Sequence, residues 1–438
     1  MGVVFNMRFS IEEIPRIEGH GGVEVHITDD GDVKVLFKVT EGIRLFESFI
    51  KGSDVSEIPL LTSRICGLCG VAHTIASAKA LSNALEIDLP DNIIMIRRLL
   101  LELNTIDSHL IHIIFLSLPD IVGSRSFLEF PPIIKQHVLE LIRIRDLVRR
   151  IIKVLIGNSV HGRNIVPWGF TWLPSRKELE HYNEQLEKSI DYMVNFAHII
   201  SEVMEENGIR SKLYIDRKAN YMSLYNEKHY PLYHGLIALN NEPLFNEEDL
   251  TKGIKEISVS YSTAKKTLLF NNEPYFVGAL ARLNNNSEFL VKEALEVMNI
   301  LNLKSPSYNP FDNILAQYIE TIHFLVSTLE LINEYEPRPY SVEYKIGNDV
   351  KRGVGVIEAP RGVLIHEYII EKDRIKYANI ITPTAQFISD LEESVKMYIK
   401  KIINDDLEQM KHQALHDIEI IVRSYDPCLS CSVHYIGI

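Results

Sequence analysis

Apolar residues recur along this chain with two periods, and the helical one dominates. Behind the start signal Pro90-Asp91-Asn92, leucines and isoleucines at three- and four-residue spacing run from Ile93 to about Leu118 and predict a long amphipathic helix. The same spacing predicts helices over Ile133 to Ile156, Lys177 to Glu206, Phe311 to Tyr335, Phe387 to Ile403 and Leu407 to Val422, with a short helical segment over Gly42 to Lys51. Cys66 to Leu85 is alanine-rich with helical spacing, which sets its two cysteines at or just before a helix N-terminus, where a thiolate is favoured. Alternation appears over Val23 to Val39 around Asp29-Asp30-Gly31-Asp32, predicting a β-hairpin within an N-terminal β element of residues 15–45. Gly353 to Ile370 and Lys376 to Ile381 read as strands. Tyr230 to Asn286 is mixed, with turns expected at Asn240-Asn241 and Asn271-Asn272. The expected fold class is α+β, predominantly α: a large multi-helical core with a small N-terminal sheet and further short strands. No repeat or low-complexity linker divides the chain, so residues 1–438 are expected to form one interwoven domain.

Bulk composition narrows the class of partner. Hydrophobic residues make up 46% and charged residues 24% of the 438, enough to bury a large core. The net charge of −13 argues against nucleic acid and against an anionic membrane surface. No signal peptide opens the sequence, and apolar stretches such as Ile111 to Leu118 are broken by His and Ser and too short to span a bilayer. The expected location is cytoplasmic, with no direct membrane insertion; export on a partner carrying the signal stays open.

The four cysteines change the picture most. They form two Cys-x-x-Cys pairs at opposite ends, Arg64-Ile65-Cys66-Gly67-Leu68-Cys69 with His73, and Asp426-Pro427-Cys428-Leu429-Ser430-Cys431 with His434. Four thiolates select a soft or borderline metal. Hundreds of residues separate the pairs, unlike zinc ribbons, whose pairs lie within about twenty residues. Spacing alone leaves a catalytic metal and a structural zinc both open.

The two cysteine motifs resemble the signatures of the large subunit of nickel–iron hydrogenases, in particular the cytosolic bidirectional and sulfhydrogenase-like group. Arg16-Ile17-Glu18-Gly19-His20 resembles that family's N-terminal motif, and Phe46-Glu47 stands at its spacing before Cys66. Tyr275 to Asn284, Glu358-Ala359-Pro360-Arg361-Gly362 and Thr382-Pro383-Thr384 are similar to further family segments, in order, so the resemblance runs from residue 16 to 434. It implies the family's fold and reversible heterolytic cleavage of H2 to protons and electrons. It implies that all four cysteines bind nickel, with Cys66 and Cys428 terminal and Cys69 and Cys431 bridging to an iron that carries two cyanides and one carbon monoxide.

By the same resemblance Arg361 faces the metals, Asp426 orients it, and Thr384 beside Pro383 donates to a cyanide. Cys428 and then Glu18 take the proton, and His73 hydrogen-bonds a bridging thiolate. Glu47, the carbonyl of Ile380 and His434 form a separate Mg or Fe site. Without the motif, Glu18 reads as a surface ion pair with Arg16, and His434 as an ordinary tail histidine. His109 and His112 read as packed core. No cysteine remains for an iron–sulfur cluster, so a small subunit carrying such clusters is implied, with further electron-transfer subunits and a maturation endopeptidase that removes Tyr435 to Ile438. Ser108 stands where respiratory members often carry Asp, Trp168-Gly169 replaces a paired Gly, and Thr384 replaces the Ser of some relatives. Two rival readings are a structural-zinc protein and a relative of the quinone-reducing subunit of complex I, whose members lack the four cysteines.

Overall fold

The computed structural model describes residues 5–28, 30–342, 349–403 and 407–434. The tail 435–438, expected to be removed on maturation, and Asp29 of the predicted turn lie outside them.

Long helices form the centre. Asp91–Ile111 and Asp312–Glu334 pack on each other, Pro132–Ile156 lies against the former and Asn183–Asn207 against the latter. Their buried residues fall on the predicted stripes, for example Leu99, Leu103, Ile106 and Leu110 along the first. Where the sequence predicts one helix to Leu118, the chain instead widens into a π turn, His112–Ser117, before Leu118–Val122. The predicted helix Lys177 to Glu206 is broken into Arg176–Glu180 and Asn183–Asn207, the first opened by a Ser175/Glu178 capping box. By composition Asp91–Val122 is long and apolar enough to cross a bilayer, which corrects the expectation that every apolar run is too short. Its best window is 83% buried inside the protein, as the core helix of a globular fold would be.

Three antiparallel strands, Phe5–Ile11, Gly21–Thr28 and Val33–Val39, make the N-terminal sheet, with the predicted hairpin joined by a strand that the pattern did not announce. Val23, Val25, Val35 and Phe37 point into the core. A second sheet corrects the sequence reading more sharply. Gly353 to Ile370, expected as a single strand, is a hairpin of Val350–Ala359 and Gly362–Glu371, to which Arg374–Ile381 pairs as the third strand. Its turn is Pro360-Arg361, so the predicted metal-facing arginine sits at a hairpin tip.

Helix Gly70–Ala84 lies on this sheet at very short range. A Cβ on Gly353 would stand 2.1 Å from the Ala80 carbonyl oxygen, and one on Gly355 2.4 Å from that of Ala76. Glycine in the strand and alanine in the helix are thus one packing solution, which brings the helix's first turn to the hairpin tip. A further four-stranded sheet, in the order Tyr275–Phe276, Asn220–Tyr225, Leu236–Leu239, Glu242–Phe245, occupies the region read as mixed. Asn240, Asn241 and Asn272 adopt positive φ at the two predicted turns.

Candidate metal centre

Each cysteine pair is delivered by a helix end. Cys69 is the N-cap of Gly70–Ala84, and Cys66 precedes it in extended conformation. The Cys66 sulfur accepts the backbone N–H groups of Leu68 and Cys69 at 3.3 and 3.2 Å, which fixes the loop. Arg44 ties the same loop down by donating to the carbonyls of Arg64 and Ile65. The second pair follows helix Leu407–Ser424 through Asp426, whose φ of +52° turns the chain back into the protein.

The pairs meet, although 362 positions separate their partners. Cys66 and Cys428 sulfurs are 3.6 Å apart, as are those of Cys69 and Cys431; Cys428 and Cys431 stand at 2.6 Å, and all four lie within 4.8 Å of one another. Thiolates at about 2.3 Å from one tetrahedral ion would be about 3.8 Å apart, so the two 3.6 Å pairs that join the motifs have the spacing of a metal site, while Cys428 and Cys431 stand closer than that. All four are buried. Hydrogen bonding from Cys428 holds the Cys66 thiol well below its usual range, while burial and the neighbouring sulfurs push Cys428 and Cys431 well above theirs. Cys69 is raised as well, by Cys66 and by burial, against hydrogen bonds from Cys428 and Cys431. The helix N-terminus was expected to favour thiolates at both members of its pair; crowded sulfurs override it at Cys69.

On one side of the cluster lies a cavity, lined by Cys69, Cys428 and Cys431, with room at its centre for about 10 Å³, roughly one water. Ala359, Leu364 and Pro383 make it apolar; Arg361 and Thr384 add donors. Arg361 gives its Nε–H to the Asp426 carbonyl at 2.7 Å, one Nη2–H to Asp426 Oδ1 at 2.8 Å and one Nη1–H to Ser108 at 3.2 Å. A guanidinium has five N–H groups, so two remain for the cavity. Thr384 accepts the Cys428 N–H at 3.0 Å, which leaves its own hydroxyl proton free to donate. The expected Asp426–Arg361 pair is thus formed.

Glu18 does not pair with Arg16, which turns instead to Asp120 at 2.5 Å and the Leu116 carbonyl at 2.8 Å. Its carboxylate receives the Ser430 hydroxyl at 2.5 Å and the Ser430 N–H at 3.1 Å, and its backbone bridges to Cys428. The loop is half-buried and held very close: a Cβ on Gly19, where φ is +84°, would lie 2.8 Å from Leu429 Cβ. Glycine is what lets the Glu18 loop lie on the second cysteine pair.

Glu47, Ile380 and His434 are also brought together. His434 Nε2 is 2.5 Å from the Ile380 carbonyl and 4.0 Å from Glu47, which itself accepts the Ile380 N–H at 2.9 Å. His73 lines the cavity, but its Nδ1 meets His366 Nε2 at 3.0 Å rather than a thiolate. Burial lowers His73 to about 3, so both members of that imidazole pair are neutral.

A family model described as nickel-dependent hydrogenase matches residues 44–133 and 249–434, and one described as HoxL-like matches residues 8–41. The chain belongs to the nickel-dependent hydrogenase family. It is 32% identical over 432 residues to sulfhydrogenase 1 subunit alpha of Pyrococcus furiosus, covering 98% of both chains. It is 27% identical over 466 residues to the NAD-reducing hydrogenase HoxS subunit beta of Cupriavidus necator, covering 98% of this chain and 94% of that one. An NAD+-reducing nickel–iron hydrogenase in its H2-reduced state superposes with a TM-score of 0.87 at 26% identity, over 98% of this chain and all of that one.

Several residues that support the hydrogenase-family centre escaped the sequence reading. Arg282, fully buried, donates to the carbonyls of Ala359 and Pro360 at 2.9 and 3.1 Å and so clamps the turn that carries Arg361. It pairs with Glu320 at 2.6 Å and with Glu358 at 3.0 Å. Arg282 holds Glu320 down to about 2 against its burial, whereas burial pushes Glu358 up to about 7. Arg282 lies inside the motif-like segment Tyr275 to Asn284, the one signal that could have flagged it. Gln317, which donates to Asp426 at 3.0 Å, sits mid-helix and carries none.

Proposed function

We propose that this chain is the catalytic subunit of a nickel–iron hydrogenase that cleaves H2 reversibly and heterolytically into protons and electrons. The observation that carries the reading is the buried cluster of four thiols with an apolar, donor-edged cavity beside Cys69, Cys428 and Cys431. A structural zinc site is closed on all sides and has no use for such a space. Cys66, Cys69, Cys428 and Cys431 would hold nickel, with Cys69 and Cys431, the pair that the family resemblance gives as bridging, shared with iron; both line the cavity, as does Cys428. An iron carrying two cyanides and one carbon monoxide fits the donor set: two free N–H groups on Arg361 and the Thr384 hydroxyl for the cyanides, Ala359, Leu364 and Pro383 around the apolar ligand. A bound nickel–iron pair supplies the Lewis acidity that polarises H2.

The protein's own groups then handle the proton. Cys428, whose thiol burial raises, holds it first. Glu18, fixed on Ser430 two residues away, takes it onward toward the half-exposed N-terminal loop. Arg361, locked by Asp426, contributes fixed positive charge beside the thiolates, and the closed cavity keeps bulk water out. Glu47, the Ile380 carbonyl and His434 would hold Mg or Fe: a carboxylate, a carbonyl and an imidazole suit a hard or borderline cation.

Electrons need a partner. All four thiols are committed to the metal, so a small subunit with iron–sulfur clusters accepts them, as the subunit names of the relatives accord with, and further subunits pass them on. Removal of Tyr435 to Ile438 by a maturation peptidase after metal loading, and a cytoplasmic site, belong to the same reading. The test is metal analysis and H2-dependent dye reduction of the chain purified with its native partner. Nickel with iron and H2 uptake is the expected result; zinc alone, from a host able to mature such sites, would overturn it.

A further inference from the structure

Hydrogen-bond accounting around His112 points to a charge that nothing else reveals. The residue is 1% exposed, as are Gln317 and Asp426. His112 Nδ1 lies 2.5 Å from Gln317 Oε1, and His112 Nε2 lies 2.8 Å from the Arg423 carbonyl oxygen. Both partners are acceptors, and a neutral imidazole has one N–H. The Gln317 amide cannot be turned over to relieve this, because its Nε2 donates to Asp426 Oδ2 at 3.0 Å. Turned, it would set oxygen against the carboxylate that pairs with Arg361 at 2.8 Å. The Ser117 hydroxyl also reaches His112 Nε2, at 3.1 Å, and could donate to a lone pair there. That lone pair would still face the Arg423 carbonyl at 2.8 Å, which is repulsive. An N–H on each ring nitrogen satisfies every contact, with Ser117 accepting a share of the second.

We infer that His112 is a buried imidazolium and acts as a positioning residue for Arg361, through Gln317 and Asp426. This rests on the reading of Arg361 as the group facing the metals. The charges alternate along the chain, Arg361 positive, Asp426 negative, His112 positive, with His112 Nε2 4.0 Å from Asp426 Oδ1. A cation donating to the Gln317 oxygen polarises the amide and strengthens its N–H bond to Asp426. Asp426 needs that anchoring, since its φ of +52° is one that a non-glycine residue holds only when its surroundings fix it. The π turn His112–Ser117 is the device that aims the ring. Such turns concentrate at functional sites. The same turn offers the Leu116 carbonyl to Arg16, two residues before Glu18, at 2.8 Å. One local widening of a helix therefore registers both the arginine over the metals and the loop of the proton acceptor.

The direct test is neutron diffraction on the deuterated, metal-loaded complex with its native partner, at a pH of about 8, where an ordinary histidine is neutral. Deuterons on both ring nitrogens of His112 are expected; a single deuteron overturns the inference whether or not the complex proves to be a hydrogenase. His112→Gln, measured in the same complex, separates positioning from mere packing. At unchanged nickel content, the infrared bands of the iron's small ligands should shift and kcat should fall about 10- to 100-fold, the usual cost of losing an outer partner of a metal site, with KM for H2 unmoved. Unmoved bands and full kcat would refute the positioning role. Should the variant fail to load metal, the neutron result on the unaltered protein decides.

Discussion

Glu18→Gln isolates proton handling from everything else the Glu18 loop does. The carboxylate has two partners, both donors from Ser430: the hydroxyl at 2.5 Å and the backbone N–H at 3.1 Å. A glutamine keeps the shape. Its amide oxygen accepts the N–H, and its NH2 faces the Ser430 hydroxyl, which rotates to accept. The exchange loses the charge on one pair of hydrogen bonds, a stability cost of about 1 kcal/mol. The backbone bridge to Cys428 and the Gly19–Leu429 contact are untouched. Metal content should therefore equal that of the unaltered complex. What glutamine cannot do is hold a proton. Loss of a positioned acid–base group costs about 100- to 10,000-fold in rate, which is about 2.7–5.4 kcal/mol in the barrier. The assay is H2-dependent dye reduction of the loaded complex, with exchange between H2 and D2O in parallel. Both should fall together, because each needs the proton to reach solvent. Glu18→Asp, acidic but too short for Ser430, should fall between. A fully loaded Glu18→Gln complex within about threefold of normal rate would show that protons leave by another group.

Thr384→Val should strip the acceptor from the Cys428 N–H, leaving a buried donor unpaired at a cost of about 1–3 kcal/mol, and should lower nickel occupancy; Thr384→Ser should restore it, and metal analysis of the three complexes decides. Arg282→Met leaves the fully buried Glu320 and Glu358 without their cation, a loss of about 3–5 kcal/mol, so the soluble yield and melting temperature should drop sharply, with partial recovery in Arg282→Met combined with Glu320→Gln. Glu102, between the two central helices, accepts the Ser327 and Thr328 hydroxyls, and burial pushes it up to about 7. Its folded value lies above its unfolded one of 4.5, so its contribution is complete below pH 4.5 and is lost as pH rises through about 7, by up to about 3 kcal/mol. Thermal melting from acid to neutral pH should show that slope, and Glu102→Gln should flatten it; an unchanged slope assigns it to another group.

Legibility in the sequence followed the kind of signal each element carries. The central helices were readable because an amphipathic stripe repeats over five or more turns, as from Ile133 to Ile156. Breaks in apolar runs were not. Gly353 to Ile370 reads as one strand because apolar strand residues run up to its buried turn, Pro360-Arg361, on both sides, although a proline cannot continue a central ladder and Gly362 at a φ of +127° follows it, both usable clues. The π turn was invisible for the opposite reason: His-Ile-Ile-Phe-Leu-Ser continues the apolar period, and one extra residue in a helical turn leaves no mark on composition.

At the candidate metal centre the four clustered cysteines were legible and the residues around them were not, and the difference is physical. A cysteine, or a carboxylate beside a glycine, carries its chemistry in its type. Gln317, Ser108 and His112 are ordinary core residues until the fold sets them around Asp426 and Arg361. What marks their arrangement as more than packing is the count of donors. A buried arginine placed for stability would spend all five N–H groups on the protein, as Arg282 does with Glu320, Glu358 and two carbonyls. Arg361 spends three and keeps two; Thr384 accepts one bond and keeps its proton. Unspent donors cost free energy in a dry interior unless something there accepts them. Arg361 and Thr384 both line a small cavity beside the cluster of four thiols, and this supports the proposal that acceptor ligands of a metal sit there.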